Sequence, residues 1–171
     1  MHSPTSWALR DTPCAFRPVR RRTFDEVESG VAHARGIGFD NVLARGVAAA
    51  EALSTETVYA GFSMGVMPAQ KLVQTRAGAK GALFFESCLP VSEFGQWPEG
   101  VPVQIHGGVD DEWFAEYLEF ARDLADSSPT AELFLYSGTA HLFADSSLDA
   151  YNREAAGVLL ERTLSFLAAL S

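Results

Sequence analysis

From Thr23 onward the apolar residues fall into two alternating textures, helical spacing and short continuous runs. Phe24, Val27 and Val31 stand at helical steps, and the acids Asp25, Glu26 and Glu28 fall in the first turn, where the positive helix terminus favours them. After Gly38, Phe39, Val42, Leu43, Val47, Ala50 and Leu53 recur three and four apart, with Asp40, Arg45 and Glu51 between them, which predicts a helix packing on a sheet. Four short apolar runs follow, at Thr57–Ala60, Gly81–Phe85, Val101–His106 and Glu132–Tyr136. Each is separated from the next by a helix-period or loop segment, with helices expected at Val66–Thr75, Glu112–Ala125 and Asp149–Ala169. Such alternation predicts an α/β domain with a parallel sheet. Residues 1–22 carry Pro4, Pro13 and Pro18 and no sustained period, so they are expected to be an unpatterned, disordered tail ahead of one domain over 23–171.

Composition narrows the function classes. The 171 residues carry 13 Lys and Arg against 22 Asp and Glu, a net charge of −9. Five of the basic residues, Arg10, Arg17, Arg20, Arg21 and Arg22, lie in the first 22 positions beside Asp11, which leaves 8 basic and 21 acidic residues for the remainder. So acidic a body repels phosphate backbones and anionic headgroups, and no nucleic-acid or membrane partner is expected. No run of apolar residues is long enough to span a bilayer, because Glu161, Arg162 and Thr163 break the densest stretch. Cys14 and Cys88 stand in no metal-ligand or redox spacing, and nothing upstream resembles a secretory leader, so a cytoplasmic location without a disulfide is expected. Gly36-x-Gly38 lacks a preceding strand and a third glycine, and no cofactor or metal is expected.

The sharpest chemical signal is Gly61-Phe62-Ser63-Met64-Gly65, between a predicted strand and a predicted helix. This is the nucleophile-elbow pattern, in which a tight turn strains the serine backbone and lifts its hydroxyl off the sheet. Glycines two residues to either side are expected because a Cβ would clash there. The bland alternative is a serine that caps the following helix. A serine nucleophile needs a base. His2 lies in the tail and His33 in a helix-period stretch, which leaves His106 at a strand end and His141 in the loop after Leu133–Tyr136. Loops at the carboxyl ends of parallel strands gather on one edge, and Ser63, Asp111 and His141 all follow strands, in the chain order of an α/β-hydrolase triad. His106 reads better as a packed or supporting group. Asp110 and Asp111 are adjacent, and the pattern alone leaves open which carboxylate meets an imidazole, the other being a solvated helix-start residue. Glu86, ending a strand, is a third candidate acid. Phe62, Met64, Trp113 and Phe143 could equally line a pocket or pack in the core.

These segments resemble the dienelactone hydrolase family of the α/β-hydrolase fold over roughly Thr23 to Leu170. The elbow GFSMG, the segment VPVQIHGGVDDEWF and the stretch YSGTAHLFADSSLDAYNREAAGVLLERTLSFL carry the likeness, in the family's order. The resemblance implies an α/β-hydrolase-like, mostly parallel sheet flanked by helices, with Ser63 as nucleophile, Asp111 as acid, His141 as base and the Met64 N–H as an oxyanion donor. It implies a carboxylic ester or lactone hydrolase working through an acyl-enzyme on a small-molecule substrate. The best-known members carry cysteine where this chain has Ser63. They also hold a substrate carboxylate with an arginine where this chain has Asp145, so a dienelactone is a poor candidate substrate. The family's first strands have no counterpart before Thr23. The expectation is therefore an N-terminally truncated domain of about four strands whose nucleophile strand lies at a sheet edge. Such an edge offers a route to self-association, and the alternative function is an impaired remnant that associates through it.

Overall fold

The computed structural model describes Phe24 and residues 26–170. The expected tail, Asp25 and Cys14 lie outside the described residues. Helices α1 (Val27–Ile37) and α2 (Phe39–Ala49) precede strand β1 (Val58–Phe62). There follow helix α3 (Val66–Thr75), strand β2 (Gly81–Phe85), strand β3 (Val103–Gly108), helices α4 (Glu112–Ala115) and α5 (Leu118–Ser127), strand β4 (Ala131–Tyr136) and helix α6 (Arg153–Ala169). The four strands form one sheet in the order β1-β2-β3-β4, every pair parallel. This is the α/β-hydrolase-like arrangement expected from the sequence, and β1 lies at an edge of the sheet among the described residues.

Side-chain alternation explains the two layers. Along β1 and β2, Tyr59, Ala82 and Phe84 point to one face, where they join Val103, Ile105, Val66, Ala69, Val73, Ala121 and Leu124 in the larger core. Leu83 and Phe85 point to the other face and meet Tyr136, Phe143, Leu159 and Phe166. Helix α6 supplies the last two residues, so it covers the second face, while α3 and α5 cover the first. The central strands β2 and β3 are buried at every position, whereas β1 and β4 each keep exposed positions. That contrast explains why the central strands read as continuous runs: helices cover both of their faces.

Boundaries differ from the predicted ones where a specific bond intervenes. The ladder of β3 begins at Val103, two residues late, because the Val101 N–H turns back to the Pro98 carbonyl and Pro102 has no N–H. It then runs on through Gly107 and Gly108, and a Cβ on Gly107 would fall 2.2 Å from the Phe114 ring. That close approach pins α4 to β3. The predicted helix Glu112–Ala125 is broken into α4 and α5 at Glu116 and Tyr117. Helix α2 stops at Ala49, short of Leu53, because the Arg76 guanidinium takes the carbonyls of Ala50 and Leu53 at 2.8 and 2.7 Å. Helix α6 starts at Arg153, four residues after the predicted Asp149, because the Asn152 side chain accepts the N–H groups of Glu154 and Ala155.

Candidate active site

Strand β1 continues through Gly61 and Phe62, and the turn itself is a single 3₁₀ turn at Ser63–Gly65 that leads into α3. Ser63 has φ of 47°, a left-handed conformation that L-residues adopt at a cost. Only one of the two flanking glycines is sterically required. A Cβ on Gly61 would sit 2.2 Å from the Gly65 carbonyl oxygen, whereas a Cβ on Gly65 meets nothing within 4 Å at φ −67°. The expectation that both glycines avoid a clash therefore holds for Gly61 alone.

The structure brings Ser63, Asp111 and His141 together at the carboxyl ends of three strands. His141 Nε2 lies 2.9 Å from Ser63 Oγ, and His141 Nδ1 lies 2.7 Å from Asp111 Oδ2. The serine hydroxyl faces the imidazole and caps no helix. Asp111 and His141 are buried, so the interaction between them is little screened by solvent. Of the two adjacent aspartates, Asp110 is exposed and Asp111 faces the ring. Asp111 also holds the helix-start role expected of its neighbour: its Oδ1 accepts the Trp113 N–H at 2.9 Å and caps α4. One carboxylate thus orients the imidazole and is itself oriented by the helix that follows.

Glu86 stands where β2 ends, 1% exposed and with φ of 59°. Its carboxyl accepts the backbone N–H groups of Leu142 and Phe143, the two residues after His141, and its Oε2 lies 3.8 Å from His141 Nδ1. Burial pushes its pKa up to about 7; Asp111 raises it further, while His141 and the two N–H groups pull it down. The strand-end position marked Glu86 in the sequence, but nothing local shows that it grips the histidine loop.

His106 is also buried, but it lies inside β3 and not at the strand end expected, because the ladder runs on through Gly107 and Gly108. Its Nδ1 lies 2.9 Å from the Tyr136 hydroxyl, and its ring stacks with those of Phe85, Phe134 and Tyr136. Burial first, and the Arg162 charge second, lower its pKa to about 3. It packs behind the site as a neutral ring. His33, half-buried on α1, lies against Phe24 at 5.1 Å between ring centroids.

Beside His141 opens a cavity of about 400 Å³ lined by Val27, Glu28, Asp110, Glu112, Trp113 and Thr139. Of the four apolar residues with ambiguous roles, Trp113 lines this cavity and Phe143 is core. Phe62 stacks on Phe85 while remaining 48% exposed. Asp145, where the resemblance has arginine, accepts the Ser147 N–H and hydroxyl within its own turn. Glu86, Asp111 and His141 offer donor atoms within 4.8 Å of one another, but a cation bound there would have to displace the Nδ1 contact to Asp111. Cys88 is free and buried, with its thiol pushed up to about 12 by desolvation, so it supplies no thiolate. No described helix is long and apolar enough to cross a membrane.

Comparison with solved structures places this geometry on a known fold. A crystal structure of a dienelactone hydrolase-like promiscuous phosphotriesterase from metagenomic libraries aligns with a TM-score of 0.59 and 16% identity. The alignment covers 84% of this chain and 67% of that one. A Klebsiella pneumoniae protein named as a dienelactone hydrolase aligns with the same TM-score at 17% identity, over 85% of this chain and 68% of that one. No curated protein sequence matches significantly. Residues 19–171 match the sequence profile of the dienelactone hydrolase family, and the chain belongs to that family.

Proposed function

We propose that the protein hydrolyses carboxylic esters or lactones of small molecules through a Ser63-Asp111-His141 triad and an acyl-enzyme. The observation that carries this reading is the continuous chain of contacts from Asp111 Oδ2 through His141 to Ser63 Oγ, at 2.7 and 2.9 Å. Family membership supports hydrolase chemistry. In the first step Ser63 Oγ attacks the carbonyl carbon as its proton passes to His141 Nε2. Asp111 holds Nδ1–H and stabilises the imidazolium, and the proton then goes to the departing alkoxide. Water, activated by the same histidine, releases the acid. The Met64 N–H, in the turn that opens α3, is the proposed donor to the oxyanion, a role worth about 2.7–4 kcal/mol of barrier. The cavity wall carries Glu28, Asp110 and Glu112, and Asp145 replaces the resembling family's arginine, so a carboxylate-bearing lactone suits this site poorly.

The test is fluorophosphonate labelling read by intact mass. A single adduct that disappears in Ser63→Ala supports an activated serine; a folded protein that takes no adduct overturns the reading. A second reading, a catalytically impaired domain that self-associates, is favoured by the edge position of β1 among the described residues and the exposure of Phe62. A labelled monomer on size-exclusion chromatography with light scattering dismisses it; an unlabelled dimer supports it.

A further inference from the structure

Resting on the triad reading, we propose that Glu86 is a positioning residue for His141. Its carboxylate fixes the backbone of the loop that carries the imidazole and supplies a second negative charge against the imidazolium formed during attack. Three observations meet on this one side chain. Its two oxygens are both engaged by backbone N–H groups, those of Leu142 and Phe143, so it grips the chain directly after His141. Leu142 sits at φ of 61°, a conformation that needs outside support, and the Glu86 carboxyl accepts its N–H. Glu86 is itself held rigidly. Its N–H donates to the His106 carbonyl at 2.6 Å, and three residues on, Leu89 is fixed in both directions by the buried Gln70 side chain at 2.9 Å.

The charge argument follows from distance. Asp111 Oδ2 takes the Nδ1 contact at 2.7 Å, and Glu86 Oε2 stands at 3.8 Å from the same nitrogen. That is too long for a hydrogen bond, yet near enough in a buried site for a strong Coulomb interaction. The charged groups facing Glu86 are His141 and Asp111, and its remaining polar contacts there are the two N–H groups. With His141 neutral, Asp111 and burial disfavour a second carboxylate. Once Nε2 takes the Ser63 proton, the imidazolium favours it. Ionised Glu86 therefore stabilises the proton-loaded histidine more than the resting one, which is the condition for lowering the barrier. With its pKa pushed up to about 7, Glu86 loses this charge in mildly acidic solution.

The test is the rate of fluorophosphonate capture as a function of pH in the wild-type protein and in Glu86→Gln. In that reaction the Ser63 oxygen–phosphorus bond forms, fluoride leaves, and the serine proton passes to His141 Nε2. The expected wild-type profile contains a step near pH 7, where Glu86 takes up its proton. In Glu86→Gln that step is absent, with the plateau rate reduced about ten- to a hundredfold and the near-ultraviolet circular dichroism retained. A wild-type profile without that step overturns the proposal while leaving the triad intact, and it is read without any substitution. An equal plateau and the same step in folded Glu86→Gln overturn it likewise. Wild-type protein that takes no label at any pH overturns the triad reading, and this proposal with it.

Discussion

His106 and His141 are both buried histidines, one inside β3 and the other in the loop after β4, yet their surroundings differ in charge. His106 lies among the aromatic rings of Phe85, Phe134 and Tyr136, with Arg162 over two of those rings and a neutral hydroxyl on its Nδ1. Among the described residues no anion pairs with it, and burial first and the Arg162 charge second lower its pKa to about 3. His141 presents Nδ1 to Asp111, with Glu86 behind, and Nε2 to Ser63. Burial is common to both; the partners decide which ring can carry charge. One region is a stacked wall, the other a relay.

The largest expected break in this comparison is between substitutions of the two rings. His141→Ala should lower fluorophosphonate capture by about 10⁴-fold or more, and combining it with Ser63→Ala should add little, because the residues act as one unit. His106→Phe, which keeps the aromatic stack, should leave capture unchanged. A large loss there, in folded protein, would make the wall part of the relay. Next come the elbow glycines. Gly61→Ala forces backbone apart and should cost about 3 kcal/mol or more, seen as loss of soluble protein or a large drop in the urea midpoint. Gly65→Ala meets open space and should shift stability by less than about 0.5 kcal/mol.

The smallest effect is in stability against pH. The folded pKa of His106 is depressed from 6.5 to about 3, so its contribution is intact above pH 6.5 and is lost as pH falls toward 3. Glu86 is raised from 4.5 to about 7, so its contribution is intact below pH 4.5 and is lost as pH rises through 7. Between pH 4.5 and 6.5 the two slopes oppose each other and nearly cancel. Denaturant titrations should therefore show stability rising more steeply with pH across that window in Glu86→Gln, and falling with pH in His106→Phe. Unchanged slopes in both variants would show that neither group titrates as its surroundings imply.

Much of this was legible in the chain. Gly81–Phe85 and Val66–Thr75 lie in the structure where periodicity predicts them, because each is a local pattern completed within one element. The strained serine was legible for the same reason: GFSMG fixes a turn within five residues. The parallel order and the edge position of β1 follow from the alternation of elements and from the family likeness.

What the sequence determined by itself was the class of fold, the elbow and a short list of acids and bases, all of them set by residues close together in the chain. Tertiary structure decided among them. Whether Asp110 or Asp111 meets His141 depends on how α4 is capped, and the pairing spans 30 residues. The serine contact spans 78, and the Glu86 grip on Leu142 spans 56. Such contacts form only when parallel strands bring their carboxyl ends to one edge, and no local pattern records which side chains will meet there. The same packing showed that Gly61 is obligatory and Gly65 is not, because the clash that matters is set by how closely β1 approaches the start of α3.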